Sequence, residues 1–120
     1  MIFQSDRAFV IFSYTLSHGL LLLRSGKTSE LLTRVDILFH DVRAMEMRCW
    51  FDGLTIEERD PSFLSEFGSS PADLMEEGNK VYSVRGRDWR GFIVGGIVSF
   101  EEDDGEFVAP SGLLADRSVP

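Results

Sequence analysis

The sequence contains one long apolar run, Phe92-Ile-Val-Gly-Gly-Ile-Val-Ser-Phe100, which decides the fold class. Apolar residues fall on both alternating faces of this run, as in a β-strand that is covered on both sides or that curves through a barrel. The two adjacent glycines remove side chains, which suits a position where a strand bends or another backbone comes close. The run therefore predicts a curled sheet or barrel, and it carries no catalytic group.

Further segments extend this pattern into a mainly β domain. Strands are predicted at residues 8–16, 20–24, 33–40, 42–51, 80–85, 92–100 and 106–109. Asp60-Pro61 and Ser70-Pro71 each place an N-cap residue before a proline, which predicts one short helical insertion at about residues 60–78. We expect a single α+β domain over residues 1–120, an antiparallel curled sheet or barrel of about seven strands, with a frayed tail at 115–120.

The clearest alternation lies in residues 42–51. As a single strand it would place one set of side chains in the core, namely Met45, Met47, Cys49 and Phe51. The opposite set would face solvent, namely Ala44, Glu46, Arg48 and Trp50.

Composition narrows the function classes. The chain has 120 residues, 43% of them hydrophobic, so it can build an ordinary core without disulfides or metals. Its net charge of −8 argues against nucleic-acid binding, because phosphate contacts need a positive field. Cys49 is the single cysteine, which suits a reducing cytosol.

Residues 9–23 are too short and too polar for a membrane span and lack a basic leader, so we expect an unprocessed cytoplasmic protein away from membranes.

The histidines and the cysteine are the candidates for chemistry. The spacing of His18, His40, Asp41 and Cys49 matches no zinc pattern, and we expect neither a metal nor a cofactor. No nucleophile elbow and no phosphate-binding loop is present, which argues against an enzyme. The acidic stretch 101–106 has enough oxygen atoms for a cation but lacks the EF-hand arrangement, and whether it binds a cation stays open.

Asp36 lies inside an otherwise apolar predicted strand. We expect it to pair with Arg24 or Arg48 on a neighbouring strand. The alternative is a small-molecule-binding β-barrel with weak hydrolase or isomerase chemistry, in which His18, Asp36 and His40 would line a ligand pocket.

Charge is unevenly placed around the apolar run. Residues 80–91 carry +3 and residues 101–106 carry −5. A straight strand of nine residues spans about 30 Å, which would hold the two charged loops at opposite ends of the domain. The arginines would then be free to meet carboxylates of a second copy or of another protein. The alternative is that both charged loops are simply solvated.

Tryptophan and arginine are the residues that protein interfaces favour. The predicted interaction residues are Trp50, Arg85, Arg87, Trp89 and Arg90. For both tryptophans the alternative, a ring packed over the mouth of the barrel, is equally open.

Several segments carry a family resemblance. Tyr14-Thr-Leu-Ser-His-Gly-Leu-Leu-Leu-Leu-Arg-Ser25, Thr33-Arg-Val-Asp-Ile-Leu-Phe39, Met45-Glu-Met47 and Gly53-Leu-Thr-Ile56 resemble a family of small bacterial proteins of unknown function. The resemblance implies a compact, β-rich bacterial domain with no established activity, so it transfers no catalytic residues. The residues themselves predict a non-enzymatic binding or protein-interaction domain that self-associates as a homo-oligomer or binds another protein. An acidic inhibitor or immunity-type protein is the further alternative.

Overall fold

The structure, a computed structural model, describes residues 2–115, which form one curled antiparallel sheet of eight strands. The strands are β1 (Phe3–Thr15), β2 (Leu20–Ser25), β3 (Arg34–Phe39), β4 (Ala44–Glu46), β5 (Trp50–Arg59), β6 (Lys80–Arg85), β7 (Arg90–Gly95) and β8 (Val98–Asp103). Their order in the sheet is β4-β7-β6-β5-β1-β2-β3-β8. The outermost strands, β4 and β8, have one neighbour each, so the sheet curls without closing. The predicted fold class, a curled antiparallel sheet with a short helical insertion, is confirmed.

The apolar run of residues 92–100 bends sharply. It forms β7 and β8 rather than one strand, and the bend falls at its second glycine. Gly96 N donates a hydrogen bond to His40 O at 2.7 Å, and His40 N donates to Ile97 O at 2.9 Å. A Cβ atom on Gly95 or Gly96 would lie 3.1 or 3.2 Å from His40 O. The glycines therefore allow two backbones to approach where the chain turns from one layer of the curled sheet into the other.

The curled sheet encloses the main core between its two layers. The apolar side chains of its inner face are buried there, among them Phe9, Leu21, Leu23, Ile37, Phe39, Phe51, Ile56, Val84 and Ile93. The molecule measures 43 × 40 × 21 Å, and its shortest dimension fits two packed sheet layers about 10 Å apart.

Two segments cover the outer faces of the sheet. The 3₁₀ helix Pro61–Phe67 packs Phe63 and Leu64 against side chains of β6 and β7. Helix α2 (Gly112–Ala115) contributes Leu113 and Leu114 to a cluster on β2 and β3.

Both predicted helix caps are present. The Asp60 carboxylate accepts a hydrogen bond from Ser62 N at 2.9 Å, and Ser70 Oγ accepts one from Ala72 N at 3.3 Å. Helix α1 (Pro71–Leu74) is shorter than predicted, because Met75 already has an extended backbone. The helical insertion thus spans residues 61–74.

The predicted strand at residues 42–51 is wrong. Its first part, β4, pairs with β7, whereas β5 pairs with β1 and β6, so the chain must leave the extended conformation between them. Cys49 is consequently exposed, and Met45 is 39% exposed. The predicted alternation holds at the start of β5, where Trp50 is 66% exposed and Phe51 is buried.

The C-terminal part also differs from the prediction. Residues 106–109 form a turn instead of a strand, because their carbonyl groups bind arginine side chains, described below. The predicted frayed tail lies outside the described residues from position 116 onwards. None of the helices in residues 2–115 is long and apolar enough to cross a membrane.

Candidate interaction site

Asp36 belongs to a buried ion pair. Arg24 lies directly opposite it on β2, and both residues are 1% exposed. Arg24 Nε donates to Asp36 Oδ1 at 2.7 Å, and Arg24 Nη2 donates to Oδ2 at 3.0 Å. The guanidinium group also lies over the ring of Phe12, 4.1 Å from its centroid. The expected pairing of Asp36 with Arg24 is confirmed, and the carboxylate is therefore occupied in a structural role.

A second buried arginine extends this network. Arg34 donates two hydrogen bonds to the carboxylate of Asp103, both at 3.0 Å. Arg24 and Arg34 also donate to backbone carbonyls of the C-terminal segment, namely those of Glu106, Phe107, Ala109 and Pro110. These contacts tie residues 106–110 to the outer face of the sheet. Sequence analysis did not single out Arg34. A usable signal was that Arg34 lies two residues before Asp36 in the same predicted apolar strand.

The acidic stretch 101–106 is largely neutralised within the chain. Arg34 binds Asp103, Lys27 Nζ lies 2.9 Å from Glu106 Oε1, and Arg7 Nη1 lies 3.9 Å from Glu102 Oε2. In residues 2–115 no group of three or more carboxylate, imidazole or thiol side chains is placed to hold a metal ion.

Two carboxyl groups of this stretch have shifted pKa values of opposite sign. The hydrogen bond from Arg34 lowers the pKa of Asp103 below its ordinary 3.8. Burial, reinforced by a hydrogen bond with Asp103, raises the pKa of Glu101 above its ordinary 4.5.

The lowered pKa of Asp103 predicts a loss of stability in acid. A carboxyl group whose pKa is lower in the folded state stabilises the protein above its ordinary pKa of 3.8, and this contribution disappears as the pH falls through the folded-state pKa. Asp103→Asn should therefore reduce the dependence of unfolding free energy on pH below about pH 4, as measured by urea unfolding. Asp104→Asn, which removes an exposed neighbouring carboxylate, is the control. An unchanged acid dependence in Asp103→Asn would contradict the assigned contact.

The three residues of the predicted ligand pocket do not share one cavity. His18 is exposed in the turn after β1 and lines an open groove of about 350 Å³ with Tyr14, Asp41 and Arg43. His40 lies at the bend of the sheet, with Nε2 3.5 Å from Ser99 Oγ. Asp36 is buried against Arg24. The arrangement provides no joint acid–base site for these groups.

The loop between β6 and β7, residues 86–89, is held firmly against β5. Arg87 N donates to Asp52 O at 2.9 Å, and Gly86 N donates to Trp89 O at 3.1 Å. The Trp89 ring packs on Phe51 with a centroid distance of 4.9 Å. The structure therefore favours the packed alternative for Trp89, whose indole Nε1 is buried and has no hydrogen-bond partner within the described residues.

Two arginines at this loop differ from the rest. Of the nine arginines in residues 2–115, six pair with carboxylates: Arg7, Arg24, Arg34, Arg43, Arg48 and Arg90. Arg59 lies over the Phe63 ring, 4.6 Å from its centroid. The guanidinium groups of Arg85 and Arg87 are exposed and make no hydrogen bond or ion pair with any described residue.

Both arginines lie beside β5, the strand that begins with the exposed Trp50. The backbone of Arg87 is bonded to Asp52 O, two residues after Trp50, and Arg85 lies opposite Thr55, further along the same strand. We call Trp50, Arg85 and Arg87 the arginine–tryptophan surface. Sequence analysis predicted all three as interaction residues, whereas Arg90 is engaged by Glu66 at 2.6 Å.

The predicted placement of the two charged loops at opposite ends of the domain is wrong. One groove is lined by Arg85, Arg87 and residues 4–5 of β1, and another by Glu101, Glu102 and the same two β1 residues. The bend at Gly96 folds the run back, so both charged segments flank the first part of β1.

No protein-family model, curated protein or solved structure matches this chain. Fold and site together define a curled β-sheet domain in which a firmly held loop displays arginine side chains.

Proposed function

We propose that this chain is a non-enzymatic protein-interaction domain that binds its partner through the arginine–tryptophan surface. The observation that carries the proposal is that Arg85 and Arg87 have no partner among the described residues, in a chain with 20 carboxylate side chains. The other arginines described are paired or packed on a ring.

Energetics support this use of the loop. The backbone of residues 86–89 is already fixed by hydrogen bonds to β5 and by the packing of Trp89, so a partner need not order it. Binding to a preorganised surface avoids part of the entropy cost of association. Arginine and tryptophan are also enriched among the residues that contribute most to interface affinity.

The chemistry of the surface suggests what the partner carries. Two guanidinium groups favour carboxylates or other oxyanions, and the indole of Trp50 favours an adjoining apolar pocket. The proposal also places the protein in the bacterial cytoplasm, because its sequence resembles small bacterial proteins and it contains a single cysteine.

Site-specific photocrosslinking in cells that produce the protein tests the proposal. p-Benzoylphenylalanine in place of Trp50 should give a defined crosslinked species, whereas the same residue in place of Val108, an exposed apolar position elsewhere, should not. Arg85→Glu/Arg87→Glu should abolish the species, because both cationic contacts become repulsive. Arg43→Glu/Lys80→Glu, with the same change in net charge, should retain it. Equal crosslinking from both positions, or insensitivity to the Arg85/Arg87 reversal, would contradict the proposal.

A second copy of the chain is the alternative partner. Its acidic stretch 101–106 is the natural acceptor for the arginines, but internal ion pairs already engage much of it. Self-association should appear in sedimentation as a heavier species that dissociates with salt and in Arg85→Glu/Arg87→Glu. A salt-insensitive monomer would leave a different protein as the partner.

A further inference from the structure

We infer that a small groove beside this surface binds one tetrahedral oxyanion, such as a phosphate group carried by the partner. The groove lies between β5, β6, β7 and the 3₁₀ helix, and it is lined by Glu57, Arg59, Phe63, Ser83, Arg85 and Arg90. The inference deepens the proposed function by naming a chemical group that the partner carries. It rests on the proposed function in one respect, namely that the phosphate belongs to a protein.

Two phenylalanine rings of the 3₁₀ helix lie beside two of the three guanidinium groups. The Cζ atom of Arg59 lies 4.6 Å from the centroid of Phe63, and that of Arg90 lies 5.2 Å from the centroid of Phe67 and 6.0 Å from that of Phe63. Phe63 is only 6% exposed, so its ring is a fixed part of the outer-face cluster. Both arginine side chains are exposed at the rim of the groove, with their guanidinium groups beside aromatic rings.

The third guanidinium group, that of Arg85, belongs to a residue whose cross-strand partner is also an arginine. Arg85 and Arg90 are direct cross-strand partners at the start of the β6–β7 hairpin. Side chains in such positions lie on one face with Cβ atoms about 4.5–5.5 Å apart, and like charges there are destabilising. Glu66 pairs with Arg90, whereas Arg85 forms no ion pair with a described carboxylate. An anion between the two strands would remove this repulsion.

The size and polarity of the groove select the anion. Its volume is about 140 Å³, below the range of about 300–1,000 Å³ typical for drug-sized ligands. A planar carboxylate is satisfied by one guanidinium fork, whereas a phosphate offers oxygens to several donors at once. The hydroxyl group of Ser83 is a further donor on the lining. Glu57 on the lining and Glu66 paired with Arg90 offset two of the three positive charges, so one phosphate group is better matched than a polyanion.

Titration of the protein with inorganic phosphate tests this inference. Binding is followed in ¹H–¹⁵N spectra through the arginine Nε–H resonances, with sodium acetate as the carboxylate comparison at equal ionic strength. We expect saturable shifts of the Arg59, Arg85 and Arg90 resonances with phosphate, and weaker shifts with acetate. Arg85→Ala should weaken phosphate binding about tenfold or more, since it removes a charge-assisted contact. The Arg85 side chain is exposed and makes no hydrogen bond or ion pair with a described residue, so we expect this variant to fold normally.

Arg43→Ala is the matched control, because Arg43 pairs with Asp41 and Glu76 in another part of the molecule. It should bind phosphate as tightly as the unmodified protein. Arg59→Ala, which leaves the arginine–tryptophan surface intact, should weaken phosphate binding without altering crosslinking from position 50 to a partner that lacks a phosphate. Non-saturable shifts, or shifts reduced equally by Arg43→Ala and Arg85→Ala, would overturn the inference. The proposed interaction surface would survive that result, since crosslinking tests it separately.

Discussion

Asp36→Ala is expected to lower the free energy of unfolding by about 3–5 kcal/mol, because it leaves the buried guanidinium of Arg24 without its counter-ion. Arg24 is 1% exposed, and its side chain cannot reach water without disturbing the C-terminal segment that it holds. Chemical denaturation at neutral pH measures the loss.

Two variants control for this result. Asp88→Ala breaks the exposed ion pair with Arg48 and should cost no more than about 1 kcal/mol. Arg24→Met/Asp36→Leu removes both buried charges and should destabilise less than Asp36→Ala alone. Equal effects of Asp36→Ala and Asp88→Ala would show that Arg24 and Asp36 are not a buried pair.

Ile93→Ala is expected to cost about 2–5 kcal/mol, whereas Ile97→Ala should cost about 0.5 kcal/mol or less. Ile93 is fully buried in the main core, and Ile97 is 61% exposed after the bend. Strict alternation along one strand would place these two isoleucines on the same face. The pair of variants, compared by thermal or denaturant unfolding, therefore tests the bend at Gly96 directly. Similar costs at both positions would contradict it.

Local patterns in the sequence were sufficient for the fold class. Alternation predicted a curled antiparallel sheet, and proline after Asp60 and Ser70 predicted the helical insertion. The paired glycines suit a bend, but the prediction of one strand spanning residues 92–100 was wrong. Local patterns could not show that residues 47–49 interrupt an apparently regular alternation. That interruption follows from β4 and β5 having different neighbours in the sheet, which is a tertiary requirement.

The candidate site could be predicted only in part, because local sequence shows residue types but not their tertiary contacts. Residue type alone indicated Trp50, Arg85 and Arg87, since arginine in loops and exposed tryptophan suit interfaces. The state of each arginine depends on which carboxylates the fold brings within reach. Arg90 meets Glu66 from the helical insertion, and Arg34 meets Asp103 from an edge strand, both far away in sequence. Sequence spacing carries no signal for either contact.

The described arginines divide into those that are paired within the fold and those, Arg85 and Arg87, that are free to bind a partner. Hydrogen exchange of the guanidinium Nε–H groups tests this division most directly. Measured by ¹⁵N-edited NMR on the free protein, the Nε–H groups of Arg24 and Arg34 should exchange much more slowly than those of free arginine, because both are buried and bonded to carboxylates. Those of Arg85 and Arg87 should exchange at the rate of free arginine. Protection of Arg85 and Arg87 comparable to that of Arg24 would mean that the fold already engages them, and it would contradict the proposed interaction surface.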